Sequence, residues 1–152
     1  MPLLAGQIIT ADALTPGWTP FTPSLSATTT NPTLGTGSTA EGEYRSDGSL
    51  ITVRFRFVFG SSMNAGSGAY RISLPVSAHA DWVPVSGALT SVGQCRIRDE
   101  SVTTDYLAFV RLHSTTLLAM EIPGTGSVTS GVPFVWAASD SIHGVVQYRP
   151  AA

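Results

Sequence analysis

Within residues 49–60, SLITVRFRFVFG, apolar and polar side chains alternate from Ile51 to Phe57. Every second position is apolar, namely Ile51, Val53, Phe55, Phe57 and Phe59. The positions between them include Thr52, Arg54 and Arg56. A period of two residues is typical of a β-strand with one buried and one solvated face. The pattern therefore predicts a strand whose phenylalanine side is buried.

A partner strand and a tight turn come directly before this strand. Asp47-Gly48 is a turn sequence, because glycine tolerates a positive φ, and residues 41–46 can supply the partner. We therefore predict a β-hairpin over residues 41–59. One hairpin cannot bury three phenylalanines by itself, so a second layer must cover the apolar row.

The rest of the chain contains short strand patterns separated by turn residues, with no convincing helix pattern. Residues 21–29 are predicted to form an edge strand, because prolines exclude a central one. Further strands are predicted at residues 69–74, 87–98, 102–113, 116–122, 132–136 and 141–148. Many short strands with frequent turns are typical of sandwich folds. The predicted fold class is all-β, an antiparallel β-sandwich of jelly-roll-like topology with an extended N-terminal arm.

The length of 152 residues suits a single domain preceded by an arm. Residues 1–17 are apolar in part, but their pattern is neither helical nor alternating. The apolar side chains of this assembly arm are Leu3, Leu4, Ile8, Ile9 and Leu14. We expect the arm to dock on neighbouring subunits or on another protein. Residues 18–152 then form the β-sandwich domain.

The chain carries few charges, 12% of its residues, against a hydrophobic share of 43%. All eight basic residues are arginines without a cluster along the sequence, which predicts no nucleic-acid binding. Few surface charges do little to prevent association, so we expect a homo-oligomer. No apolar run is long enough to span a bilayer, which predicts no membrane insertion. The single cysteine, Cys95, is expected to be a buried small hydrophobe.

The first candidate binding site is the loop 77–86, which contains His79, Asp81 and Trp82. His79 and Asp81 could form a metal-binding or acid–base pair, but no third ligand lies nearby in the sequence, and an exposed polar loop is the commoner explanation. Trp82 could stack on a sugar ring and is expected to be the best exposed tryptophan. Asn64, in the preceding glycine–serine loop, completes the receptor-binding candidates. No metal or cofactor is predicted.

The other titratable residues give no catalytic pattern. His113 and His143 lie inside strand patterns and are expected to be structural. The pairs Glu41/Glu43 and Asp99/Glu100 lie in hairpins and turns, where solvated charge is expected. A glycosidase pair needs only to meet in space, so spacing along the sequence neither supports nor excludes one. We predict no catalytic residue.

Several motifs occur together in the first half of the chain. In order they are GWTPFTP (17–23), NPTLGTG (31–37), EGEYRSDG (41–48), ITVRFRFVFGSS (51–62) and GSGAYRISLP (66–75). This set resembles short minor tail or tail-fibre-like proteins of bacteriophages and prophages that infect actinobacteria. Beyond Pro75 the resemblance lies mainly in the general character of the sequence, and the segment PFVWAASD (133–140) is its most similar part. The resemblance implies a structural virion protein with a β-rich domain that assembles as a trimer, and it identifies no binding residue.

Three functions follow as hypotheses. The first is a virion attachment protein that binds a host cell-surface glycan and contacts other virion proteins. The second is a passive capsid decoration or head-fibre protein. The third is an enzyme that acts on cell-wall glycan, and it ranks last because the sequence has no catalytic set. A glycan signal abolished by Trp82→Ala would favour the first, whereas labelling of the phage head would favour the second.

Overall fold

The computed structural model describes residues 17–84 and 91–151. Within these ranges the strands are β1 Thr19–Phe21, β2 Leu25–Ala27, β3 Thr39–Ser46, β4 Ile51–Val58, β5 Tyr70–Ser73, β6 Ser91–Asp99, β7 Thr104–Leu112, β8 Leu117–Ile122, β9 Gly126–Ser127 and β10 Ser141–Tyr148. One turn of 3-10 helix spans Ala80–Trp82. The predicted assembly arm with its five apolar residues lies outside the described residues, apart from Gly17.

The strands pair antiparallel throughout and form one curled sheet with the shape of a half-barrel. Their order is β1-β3-β4-β10-β6-β7-β8-β5-β2, and β9 pairs with β8. The predicted all-β, antiparallel class is therefore confirmed. The finer prediction of a two-layer sandwich with jelly-roll topology stays a prediction.

One long bent hairpin, which we call the ribbon, ties the two ends of the curled sheet together. Its arms are residues 25–46 and 51–72, joined by the turn at Asp47-Gly48. β3 pairs with β4 beside the turn, and β2 pairs with β5 at the far end. Isolated bridges continue the same register between these pairs, at Thr36–Ser61, Thr33–Asn64 and Thr30–Ser67. Because β3–β4 and β5–β2 lie at opposite ends of the strand order, a continuous ribbon requires the sheet to curl.

The curled sheet encloses the hydrophobic core, to which β4 contributes its phenylalanines. Phe57 is fully buried, Phe55 and Phe59 are nearly so, and Arg54 and Arg56 are exposed on the other face. The predicted faces of this strand are therefore confirmed for these five residues. The glycine at position 144 of β10 leaves room for the Phe55 ring, since a Cβ there would lie 2.3 Å from that ring.

The core also contains polar atoms that have partners. The hydroxyl groups of Tyr70 and Tyr148 donate hydrogen bonds to backbone carbonyls, those of Ala65 and Val76, each at 2.7 Å. Thr52 lies on the same side of β4 as Arg54 and Arg56, outside this core, but it is buried there, and its hydroxyl accepts a hydrogen bond from the Gln147 side chain at 3.1 Å. These bonds satisfy groups whose burial would otherwise cost free energy.

Cys95 confirms its prediction as a buried small hydrophobe. Its side chain lies on the core side of β6, with 2% of the residue exposed. Burial raises the pKa of the thiol to about 12, because the thiolate would be desolvated there. The thiol is therefore protonated and unreactive at neutral pH.

The prediction of a strand over residues 132–136 is wrong. Val132 forms only an isolated bridge with Thr129, and the following residues run as an irregular segment. Side-chain packing holds this segment in place, and not the hydrogen bonds of a β-ladder. Trp136 is almost completely buried, donates its ring N–H to the Thr129 carbonyl at 2.8 Å, and packs 5.0 Å from Phe59 and 5.7 Å from Tyr70 between ring centroids.

The prediction of one edge strand over residues 21–29 is wrong in part. This stretch contributes to two short strands, β1 and β2, that lie at opposite ends of the strand order. Pro23 lies between them and has no N–H to donate to a ladder. The edge position itself is confirmed for both strands.

Candidate functional site

The loop that carries His79, Asp81 and Trp82 lies across the ends of two strands. The His79 backbone N–H donates to the Arg149 carbonyl at 2.8 Å, and the N–H of Ala78 donates to the Thr115 carbonyl at 2.7 Å. The loop is therefore fastened to the connection before β8 and to the end of β10. Its position is set by backbone hydrogen bonds.

The side chains of His79 and Asp81 contact each other at the start of the 3-10 turn. His79 Nδ1 accepts a hydrogen bond from the Asp81 N–H at 3.3 Å and lies 3.4 Å from Asp81 Oδ2. This is a capping arrangement, in which the first residue of a turn satisfies a free N–H. The structure therefore brings the predicted pair together. The capping of the 3-10 turn by itself explains the contact between the two side chains.

Trp82 is not the best exposed tryptophan, so that expectation is wrong. It is half-buried and packs against the core, whereas Trp18 is 37% exposed. A tryptophan beside a proline-containing polar loop can still turn its ring inward, because burying an indole is strongly favourable.

Asn64 lies on the ribbon, in a different segment from the His79 loop. It exchanges backbone hydrogen bonds with Thr33 at 2.8 and 2.9 Å. Its side-chain oxygen accepts from the Gly66 N–H at 2.8 Å, which is a local turn contact. No hydrogen bond joins it to residues 77–84 in the described structure, so the four candidates do not form one site.

A groove of about 780 Å³ crosses the outer face of the sheet, the face turned away from the core. We call it the outer groove. It runs over β3, β4, β10, β6 and β7, and two parallel rows of side chains border it. The first row is Glu41, Arg56, His143, Arg96 and Leu107, which are direct cross-strand neighbours. The second row is Glu43, Arg54, Val145 and Gln94.

The floor of the outer groove is backbone. Between the two rows lie Gly42, Phe55, Gly144 and Cys95, and the side chains of Phe55 and Cys95 point to the core. The alternation of a β-strand places these residues on the opposite face from their neighbours. The groove is therefore a shallow channel over the outer face of the curled sheet, bordered by side chains that can turn toward a ligand.

Three arginines border the outer groove, and each contacts a carboxylate. Arg54 forms an ion pair with Glu43, and Arg56 pairs with Glu41 at 3.1 Å. Arg96 lies 3.6 Å from Asp105, a carboxylate that also lies 3.4 Å from Arg98. These groups are half-exposed, so each pair contributes little to stability, and the guanidinium groups can exchange partners readily.

His143 lies between Arg56 and Arg96 in the first row, on the middle strand β10. Desolvation lowers its pKa below the usual value for histidine, and the two positive charges lower it further, while Glu41 opposes them. The imidazole is therefore neutral at pH 7 in the absence of a ligand. A neutral imidazole offers one N–H donor and one acceptor to the groove.

Trp18 lies at the margin of the outer groove. The guanidinium carbons of Arg54 and Arg45 are 4.6 and 5.2 Å from its ring centroid. Cation–π contact of this kind holds an exposed indole in place on a sheet surface. The groove thus has an aromatic side chain next to its second row.

Sequence reasoning missed this site, although part of its signal was present. Arg54 and Arg56 were placed on the solvated face, and His143 was expected to be structural. A hairpin with its turn at Asp47-Gly48 pairs Glu41 with Arg56 and Glu43 with Arg54, so these ion pairs could have been predicted. The contributions of β10 and β6 depend on pairings between distant parts of the chain.

The described residues contain no group of three or more histidine, cysteine or acidic side chains that could hold a metal ion. They also contain no helix long and apolar enough to cross a membrane. The side chains of the outer groove can offer guanidinium, imidazole, amide and carboxylate groups to a ligand, beside the apolar side chains of Leu107 and Val145.

Comparison of the chain with protein-family models, with curated proteins and with solved structures gave no match.

Proposed function

We propose that the chain is a structural bacteriophage virion protein, minor-tail or tail-fibre-like, that contributes to attachment by binding a host-surface glycan in the outer groove. The sequence motifs support the virion assignment. The observation that carries the binding role is the composition of the groove, with three arginines, a histidine and a glutamine beside apolar Leu107 and Val145. The proposal includes no catalytic role.

The chemistry of a saccharide fits such a surface. Sugar rings carry adjacent hydroxyl groups, which planar guanidinium, amide and carboxylate groups can bind two at a time. They also have C–H faces, which pack on apolar or aromatic side chains such as Leu107 and Trp18. A volume of about 780 Å³ is within the usual range for ligand pockets.

The proposed fold is the jelly-roll-like sandwich. The ribbon supports it, because a long antiparallel hairpin that joins both ends of a curled sheet brings two layers over one core. Such a domain presents its outer strand faces to solvent, where the groove lies.

We expect the full chain to be a homotrimer in solution. The low share of charged residues favours association, and trimers follow from the sequence resemblance. Light scattering coupled to size-exclusion chromatography should give the mass of three chains of 15.9 kDa. A mass of one chain at micromolar concentration would contradict this expectation.

The alternative, a capsid decoration or head-fibre protein, is favoured by one observation. Leu107 and Phe109 on β7 and Val145 on β10 are each about half exposed on the outer face, with β6 between the two strands. Exposed apolar side chains this close together can form a contact surface for another protein. Electron microscopy of purified virions with labelled protein separates the two functions, because label on the head would favour the alternative and label on the tail would favour attachment.

The binding role predicts that Arg54→Ala weakens glycan binding by about tenfold or more, since a hydrogen bond to a charged group is worth about 1.5 to 3 kcal/mol. A glycan array identifies the ligand, and titration calorimetry then compares the variant with wild type. Circular dichroism confirms that the variant is folded. Arg149→Ala is the matched control, because it removes an exposed arginine outside the groove and should leave the affinity unchanged.

A different pattern of losses would overturn the groove assignment. If Asp81→Ala abolishes binding and Arg54→Ala does not, the ligand binds at the His79 loop. If wild-type protein binds no glycan on the array, the attachment role itself is contradicted.

A further inference from the structure

We infer that the ligand of the outer groove carries an anionic group, a carboxylate or a phosphodiester on a saccharide or polyol chain, and that this group lies between Arg56 and Arg96 above His143. This inference rests on the proposed glycan-binding function and narrows its ligand class. It follows from the order of side chains in the first row, from their charges and from the position of the imidazole.

The geometry places two guanidinium groups on either side of one strand. Arg56 of β4 and Arg96 of β6 are both direct neighbours of His143 in β10. Adjacent strands are about 4.8 Å apart, so the two arginine backbones are about 10 Å apart. Long side chains from these positions can converge on one anion above the middle strand, and guanidinium groups bind carboxylate and phosphate oxygens in a bidentate manner.

The contacts of Arg96 leave it able to take another acceptor. Its only carboxylate contact among the described residues is Asp105, at 3.6 Å, and Asp105 also contacts Arg98 at 3.4 Å. Arg98 has its own carboxylate partner in Glu100, whereas the contact of Arg96 with Asp105 is longer than a hydrogen bond and leaves the N–H donors of Arg96 largely unused. Arg96 is half-exposed, so a ligand oxygen can reach it from the groove.

Arg56 has a carboxylate partner that lies away from the middle strand. Glu41 of β3 contacts it at 3.1 Å from the side opposite His143. A guanidinium group has five N–H donors, and one carboxylate uses only part of them. Donors therefore remain for a second anion on the β10 side.

The imidazole makes the site sensitive to pH. The charged groups that face His143 are Arg56 on β4, Arg96 on β6 and, beyond Arg56, Glu41 on β3. In the free protein the two arginines oppose its protonation. A bound anion adds negative charge above the ring and so raises the pKa of His143 relative to the free protein. Binding then takes up a proton, and affinity must increase as the pH falls through the pKa of the complex.

The groove is larger than a simple anion needs. It extends along the first row to Leu107 and across to Gln94 and Val145. These side chains suit the hydroxyl groups and C–H faces of residues that flank the anionic group. The ligand is therefore inferred to be an oligomer and not a free ion.

The test uses trigalacturonic acid, its fully methyl-esterified neutral form and a glycerol phosphate oligomer as probes, with full-length protein in titration calorimetry at pH 8.0 and pH 5.5. At least one anionic probe should bind about tenfold or more tightly than the neutral ester. The tighter of the two anionic probes distinguishes a carboxylate polymer from a phosphodiester polymer. Its affinity should increase by about threefold or more at the lower pH.

Variants assign these effects to residues. His143→Gln should remove the pH dependence while the folded variant still binds at pH 8.0. Arg96→Ala should remove most of the preference for the anionic probe. His113→Gln is the control, because the pKa of His113 is also lowered by burial but the residue lies outside the groove, so its variant should keep the wild-type pH profile.

Each opposite result overturns a defined part of the inference. Equal affinity for the anionic and neutral probes refutes the anionic ligand and leaves the glycan-binding function in place. A wild-type affinity that does not change with pH refutes the position above His143. A single-stranded oligonucleotide serves as a fourth probe, and tighter binding of it than of the other three refutes the ligand class.

Discussion

Phe57→Ala is expected to lower the free energy of unfolding by about 3 to 5 kcal/mol, the usual cost of removing a buried phenylalanine ring. Phe57 is fully buried on β4, with β3 on one side and β10 on the other. The rigid pairing on both sides prevents the core from collapsing into the cavity. Urea denaturation followed by circular dichroism measures the change.

The neighbouring residue provides the control for Phe57. Arg56→Ala changes the same strand on its exposed face, so it should cost less than about 1 kcal/mol. A near-neutral effect of Phe57→Ala, or an equal effect of the two variants, would contradict the assignment of faces. A one-residue slip of β4 would have that consequence, because it exchanges the two faces of the strand.

Gly60→Ala is expected to destabilise the fold by about 3 kcal/mol, as overpacking against fixed backbone does. Gly60 lies in the part of the ribbon between the β3–β4 pair and the β2–β5 pair, where the two arms run side by side. A Cβ at this position would lie 2.1 Å from the Thr36 carbonyl oxygen and 2.7 Å from the Ser38 nitrogen. The Gly60 N–H also donates to the Leu34 carbonyl at 2.7 Å, which holds the arms close together. Thermal unfolding measures the loss.

Gly131→Ala is the matched control for Gly60. Gly131 is exposed, and a Cβ there would have no described atom within 4 Å. Its substitution should change stability by less than about 0.5 kcal/mol. If Gly60→Ala is equally neutral, the arms do not approach as closely as the structure places them.

The hairpin of β3 and β4 shows how much local pattern can predict. Period-two alternation predicted the buried side of β4, and the turn at Asp47-Gly48 set the register of its partner. The register in turn places Glu41 opposite Arg56. Half of the outer groove was therefore accessible from the sequence.

The other half was not, because it depends on pairing between distant segments. His143 lies next to Arg56 and Arg96 only because β10 enters the sheet between β4 and β6. Strands with similar alternation can pair in many orders, and loop-closure entropy differs little among them. The same ambiguity explains why eight arginines without a cluster along the chain still place three on one surface.

The errors over residues 21–29 and 132–136 have a related cause. Each stretch has strand-like composition, but its backbone partners are chosen by the curl of the sheet and by side-chain packing. Trp136 shows this best, since its burial against Phe59 and Tyr70 holds an irregular segment in place. Trp82 was misjudged in the same way, because its loop composition carried no information about the core beneath it.

By itself, the sequence determined the all-β class, the buried face of β4, the hairpin at Asp47-Gly48 and the burial of Cys95. These features depend on the two-residue period of a strand and on the conformational freedom of glycine, which act over a few neighbouring residues. The curl of the sheet, the joining of its two ends by the ribbon and the β10 and β6 side of the outer groove arose only in the folded chain. They require contacts between residues far apart in sequence, and such contacts are selected by the packing of the whole core.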